Sequence, residues 1–217
     1  MLTFIAVSDI HGSYAKVAEM LAREISFDAL IIAGDLTTNG SPREAEEALK
    51  LFHQFGKPII SVAGNMDPVT LEPTFESMSS YVNGRGIIVD EAGFFGVSGS
   101  PFTPMNTPYE LSEETIMERA EAGWKDVESA RWKIFIPHAP PYKTAIDRLL
   151  SGNHVGSKAI RTFIEQHQPD VVVSGHIHEA RGVDTIGNSQ VVNCGPAEKG
   201  YFVTIAIDNQ ITVEVRG

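Results

Sequence analysis

Five short blocks hold the residues best suited to chemistry: Asp9-Ile10-His11, Gly34-Asp35, Gly64-Asn65-Met66-Asp67, His138 and Gly175-His176-Ile177-His178. Each follows a short apolar run, where an α/β protein places its binding loops. The donors are carboxylates, imidazoles and one amide, without a thiolate. Such a set suits manganese, iron, zinc, cobalt or nickel better than calcium or magnesium, and it does not match a structural zinc knot. Asp9 and His11 stand two residues apart, so at an extended strand end both reach one ion; His176 and His178 repeat that spacing. Asp35 has two oxygens with which to bridge a pair of cations, and Asn65 offers a neutral oxygen. Taken singly, an Asp-x-His pair reads as a self-capping turn, and Asp35 or Asp67 as a cap. Four of the seven histidines, however, directly follow apolar runs in one consistent order, which points to a metal centre. The other three, His53, His154 and His167, fall on predicted helices or in loops.

The elements that position these blocks are legible as a pattern. Leu2 to Val7, Ala29 to Ala33 and Pro58 to Ala63 read as buried strands. Between them lie two helices. One is capped by Ser13 and carries Val17, Ala18, Leu21, Ala22 and Ile25 on one face; the other opens at Ser41-Pro42 and ends at Gly56. This alternation predicts parallel βαβ units. Gly86 to Val89 and Phe94 to Val97 read as paired strands of a second sheet, and Pro101 to Pro108 as a loop. Leu111 to Ser129 has few apolar positions and reads as an exposed or lid-like helix. Trp132 to Ile136, Val171 to Val173, Gly182 to Ile186, Gln190 to Val192, Tyr201 to Ile207 and Ile211 to Val215 read as strands, the last two forming a hairpin at Asp208-Asn209. Ser157 to His167 is an amphipathic helix.

The bulk numbers restrict the options. A chain of 217 residues, 42% hydrophobic and 21% charged, suits one globular domain over residues 1–217. A net charge of −11 disfavours non-specific binding to nucleic acid. The single cysteine, Cys194, rules out an intrachain disulfide. The first residues lack the basic start of a signal peptide, and no apolar run approaches the roughly 20 residues of a membrane span, so a cytoplasmic protein is expected. A homo-oligomer is compatible with this composition.

The ordered blocks Asp-x-His, Gly-Asp, Gly-Asn-x-Asp, a lone His and Gly-His-x-His resemble the calcineurin-like metallophosphoesterase superfamily, from Asp9 to about Pro196. Its compact prokaryotic, Icc-related members are the nearest match. The resemblance implies a four-layer α/β/β/α sandwich with two mixed β-sheets and a dinuclear site at the strand ends. Asp9, His11, Asp35 and His178 would hold one ion. Asp35, Asn65, His138 and His176 would hold the other, with manganese favoured. Two such ions share a water, lower its pKa and present a bridging hydroxide to phosphorus. The implied activity is hydrolysis of small phosphodiesters, with a phosphomonoesterase or a non-catalytic metal-binding interaction module of the same fold as alternatives.

One position departs from the family pattern. Where relatives carry a histidine as general acid after Gly-Asn, this chain has Met66, and a thioether donates no proton. Asp67, without that partner, reads as a cap ahead of Pro68. His154, in the glycine-bearing loop Ser151 to Gly156, is the candidate substitute donor; Tyr109 and Lys143 are weaker candidates for the pocket border. Cys194 reads as part of a structural turn.

Overall fold

The computed structural model describes residues 1–24 and 26–217; Ile25, expected on the inner face of the first helix, lies outside them. Three largely apolar runs form the parallel strands β1 (Leu2–Val7), β2 (Ala29–Ala33) and β3 (Ile59–Val62), joined through helices α1 (Tyr14–Leu21) and α2 (Pro42–His53). Ser41 caps α2 by accepting from the Glu44 N–H at 3.3 Å. Ser13 stands at the start of α1 but makes no capping hydrogen bond, because its backbone is not in the extended conformation a cap requires. After β3 comes a helix the sequence did not announce, α3 (Glu72–Met78), and then the two-residue strand β4 (Ser80–Tyr81) parallel to β3. The C-terminal hairpin, β13 (Phe202–Ile207) and β14 (Ile211–Arg216), joins β1 antiparallel. The first sheet therefore runs β14-β13-β1-β2-β3-β4.

The second sheet is built from β5 (Gly86–Val89), β6 (Ala92–Val97), β9 (Trp132–Pro137), β10 (Val171–Ser174), β11 (Gly182–Ile186) and β12 (Ser189–Asn193), in the order β11-β12-β10-β9-β6-β5. Between β6 and β9, β7 (Ser100–Pro101) pairs with β8 (Glu110–Leu111) at the two ends of the proline-rich loop. Period-two alternation sorts the side chains into layers. Phe4, Ala6, Ile31 and Ala33 face the second sheet and meet Phe94, Ile134, Ile136 and Val173. Ile5, Val7, Leu30 and Ile32 face the opposite way and pack under α1, α2 and α3. Phe95, Phe135, Val172 and Val191 point outward from the second sheet, under α4 (Glu113–Val127) and α5 (Lys158–His167). The result is the α/β/β/α sandwich with two mixed sheets. In β1, β2, β3, β9 and β10 the chain runs parallel within each sheet, so their carboxyl ends carry all five chemistry-bearing blocks.

Helix α4 is not a lid. Ile116, Ala120, Gly123 and Val127 are buried on one face, and Trp124 packs edge-on to Phe95 at 5.7 Å. Few apolar residues suffice because the central ones are small: a Cβ at Gly123 would stand 3.0 Å from the Phe95 Cβ, so helix and sheet meet almost backbone to side chain. The Glu113 carboxylate also caps α5, accepting from the N–H groups of Lys158 and Ala159 at 3.0 and 2.9 Å and from the Ser157 hydroxyl at 2.6 Å. Ile116→Ala is accordingly expected to destabilise the protein by about 2–5 kcal/mol in denaturant unfolding; a loosely attached lid would lose less than about 0.5 kcal/mol.

Candidate metal centre

The turns after β1 and β2 are zipped together by backbone hydrogen bonds. The Asp35 carbonyl accepts from the N–H groups of Ile10 and His11 at 2.8 and 3.1 Å, and the Gly34 carbonyl accepts from the Asp9 N–H at 3.1 Å. This geometry forces Asp9, His11 and Asp35 into the left-handed region, with φ of 54°, 44° and 51°; His176 joins them at 68°. Such a backbone costs about 1–3 kcal/mol per non-glycine residue and persists where surrounding structure enforces it. The glycines of the blocks supply room. A Cβ at Gly34 would overlap the His138 ring, one at Gly64 the Asp35 carboxylate, and one at Gly175 the Asp9 carboxylate.

All seven residues expected as ligands come to one end of the sandwich. Asp35 Oδ2 faces His11 Nε2 at 3.6 Å on one side and His138 Nε2 at 3.4 Å on the other. His178 Nε2 lies 3.3 Å from Asp9 Oδ1 and 3.4 Å from His11 Nε2. Asn65 Oδ1 faces His138 Nε2 at 3.0 Å and His176 Nδ1 at 2.7 Å. Donor atoms each about 2.0–2.2 Å from a common ion lie roughly 3–3.5 Å apart, so these separations fit metal coordination. Asp9, His11 and His178 form one candidate cluster, and Asp9, Asp35 and His138 another. The other ring nitrogens of His138 and His11 and the Asp35 carboxylate are anchored. His138 Nδ1 donates to the Ala33 carbonyl at 2.8 Å, His11 Nδ1 sits 2.9 Å from the Thr38 hydroxyl, and Asp35 Oδ1 accepts from the Met66 N–H at 2.7 Å.

The spacing of His176 and His178 suggests that both reach one ion, but the structure separates them. Strand β10 ends at Ser174, and the chain turns at His176 before His178. His176 therefore points to Asn65 while His178 points to Asp9 and His11. Asp9 and His11 do converge, through their tight turn rather than an extended strand.

The matching profile is that of the calcineurin-like phosphoesterases, over residues 2–180. The chain belongs to the calcineurin-like phosphoesterase family. An uncharacterized protein of Methanocaldococcus jannaschii is 32% identical over 218 residues, covering 98% of this chain and 96% of the relative. A probable cyclic nucleotide phosphodiesterase of Synechococcus is 24% identical, covering 75% of this chain and 64% of its own. A crystal structure from Thermus thermophilus shares the fold with a TM-score of 0.75 at 18% identity, covering 100% of this chain and 98% of that one.

The calcineurin-like family is metal-dependent, and the charges at this site suit a cation. Burial alone would raise Asp9, but the His178 hydrogen bond and the charges of His138, His178 and His176 hold it below the ordinary carboxylate value. Burial disfavours a charged His138, yet the Asp35 and Asp9 carboxylates and the Ala33 carbonyl outweigh it and push the imidazole up to about 9. Burial, followed by the charge on His138, brings His176 down to about 4. The Asp9 hydrogen bond raises His178 against the effect of burial.

Asp67 does not cap the turn at Pro68. It is fully buried and reaches back to the β2 turn, accepting from the N–H groups of Leu36, Thr37 and Gly64 at 3.1, 2.8 and 2.9 Å and from the Thr37 hydroxyl at 2.9 Å. Burial and the nearby Asp35 carboxylate push it up to about 6 against the lowering effect of the Gly64 and Thr37 donors. Its work is to hold the turn that presents Asp35.

Above the cluster lies a cleft of about 690 Å³ walled by Met66, residues 102–105, Thr107, Leu149, Val155, Ile177 and Glu179. The sequence singles out Met66 and the Ser151 to Gly156 loop that carries Val155; the three prolines of residues 101–108 signal a loop, not its direction. His154 is not in the wall. Its Nδ1 lies 2.6 Å from the buried Asp147 carboxylate, and the adjacent Val155 lines the cleft. Lys143 is also outside the wall. The Tyr109 side chain is buried elsewhere, with Glu72 and Arg119 each 2.7 Å from its hydroxyl. Cys194 is buried, and burial raises its thiol.

Two outcomes follow. A metal must displace the proton that His138 holds up to about pH 9. Apparent metal affinity should therefore rise between pH 6 and 9, with proton release measurable by calorimetry in buffers of different ionisation enthalpy; a flat profile would contradict this. Asp67→Ala, which strands four buried donors, should cost at least about 3 kcal/mol of stability in urea unfolding and weaken metal binding.

Proposed function

We propose that the protein is a metal-dependent phosphodiesterase acting on small phosphodiesters with two divalent transition-metal ions, manganese favoured. Asp9, His11, Asp35 and His178 would hold one ion, and Asp35, Asn65, His138 and His176 the other. The observation that carries this reading is the position of Asp35 Oδ2 between His11 Nε2 and His138 Nε2. Nearly buried, that oxygen faces a histidine on each side, as a bridging ligand must. When bound, two such ions acidify a shared water and neutralise the phosphoryl oxygens as charge develops on them.

The chain's own residues orient and exclude. The Ala33 carbonyl fixes the His138 tautomer so that Nε2 faces the centre, and the backbone of Met66 holds Asp35 in register. Asp9, Asp35, Asn65 and His138 are shielded from solvent, which strengthens every charge interaction they make. Met66 lines the cleft where relatives place a proton donor. The departing alkoxide therefore leaves without help from that position, which favours esters of acidic alcohols and phenols. The printed description of the Synechococcus relative, a probable cyclic nucleotide phosphodiesterase, supports diesters over monoesters. A non-catalytic binding module of the same fold is the second reading, and Met66 is the observation that favours it.

The test is turnover of 4-nitrophenyl diesters by protein shown to hold two manganese ions. We expect hydrolysis whose rate falls steeply as the leaving-group pKa rises, and Met66→His should raise activity on poor leaving groups by about 10²-fold. No turnover with any transition metal would replace this proposal with the binding-module reading.

A further inference from the structure

The cleft above the candidate centre has walls whose composition contrasts with its polar floor. Phe102, Met105 and Val155 in its wall are among the exposed large hydrophobic side chains, at 71%, 80% and 39% exposure, and Leu149 lines the cleft with them. Among the described residues lining the cleft there is no lysine or arginine, and the charged side chain in the wall beyond the candidate ligands is the anionic Glu179.

Both walls are held by carboxylates. Glu110 accepts from the N–H and hydroxyl of Thr103 at 3.1 and 2.6 Å and from those of Thr107 at 2.8 Å each, which fixes the loop bearing Phe102 and Met105. Those bonds outweigh the effect of burial and hold the Glu110 carboxyl down to about 2. On the other side, buried Asp147 accepts from the N–H groups of Lys143, Thr144 and Gly156 at 3.1, 2.9 and 3.0 Å, and its carbonyl accepts from the Val155 N–H. Glu179 accepts from the Leu150 N–H at 3.2 Å and so ties this wall to the turn bearing His178. Exposed apolar side chains on two braced loops form a preorganised seat, which lowers the ordering cost of binding.

We propose that the cleft takes a phosphodiester with one negative charge and a bulky apolar ester group, seated between Phe102 and Met105 on one side and Leu149 and Val155 on the other. This rests on the reading of the site as a phosphoester centre. The charge pattern sets the selectivity: the metal ions neutralise a single phosphoryl group, and no cation in the wall meets a second anionic group. A substrate with further negative charge on its ester group would instead face Glu179 and an apolar wall.

The experiment compares three slowly hydrolysed diesters by calorimetry on manganese-loaded protein: dimethyl phosphate, diphenyl phosphate and bis(4-carboxyphenyl) phosphate. Diphenyl phosphate should bind about thirtyfold more tightly than dimethyl phosphate, the gain expected from burying one ring. The carboxylated diester should lose that gain. In the Phe102→Ala, Met105→Ala double variant, with its thermal melt checked by circular dichroism, the diphenyl-to-dimethyl ratio should fall to within about threefold. Equal affinities in the parent protein, preference for the carboxylated diester, or an unchanged ratio in the folded double variant would each overturn the proposal. The readout is binding, so the two readings fail separately. Tight diphenyl phosphate binding without turnover of any ester removes the hydrolase alone; hydrolysis indifferent to the ester group removes the apolar seat alone.

Discussion

The imidazole of His138 is the tie on which the site depends. It stands directly after the end of β9 in the second sheet, and its Nδ1 donates to the carbonyl of Ala33 at the end of β2 in the first. Two sheets packed only by apolar side chains can slide by fractions of an ångström at little cost. A fully buried hydrogen bond across the seam sets their relative position at the end where the loops meet, because leaving either group unpaired there costs about 1–3 kcal/mol. From that fixed point Nε2 reaches both Asn65 and Asp35, which stand on the turns after β3 and β2.

The centre is expensive to build, and several neighbours share the work of holding it. Four of its residues have left-handed backbone, and the buried carboxylates of Asp9, Asp35 and Asp67 crowd together. Like charges removed from water repel unless protons, hydrogen bonds or cations compensate them. In the protein alone, His138 and His178 supply that compensation to Asp35 and Asp9, which is why both imidazoles are raised. Asp67 draws on four donors instead and so stabilises the turn without entering the cluster. The same logic repeats in the cleft walls, where Glu110 and Asp147 each gather the donors of a loop.

Much of the fold was legible because it rests on local pattern. Short, mostly apolar runs mark β1, β2, β3 and β10, and the Ser41-Pro42 start marks α2. Helix α4 departs from the lid reading because apolar content underestimates packing when the middle of the buried face, Ala120 and Gly123, is small. Helix α3 was overlooked for a similar reason: Phe75 is its only buried residue, so no apolar stripe advertises it. Asp67 was misplaced because a carboxylate before proline is a good local cap, and nothing local reveals that Leu36 and Thr37 lie within reach.

The sequence by itself determined the family, the layer order and which residues gather at the strand ends, because strand periodicity and ordered ligand blocks are properties of short segments. Only the tertiary structure decided which partner each ligand faces, that His154 is engaged with Asp147, and that an apolar wall rises over the polar floor. Apart from the local His154–Asp147 pair, seven residues apart, those outcomes depend on segments distant in the chain coming together, and such distances are set by packing, which no single segment encodes.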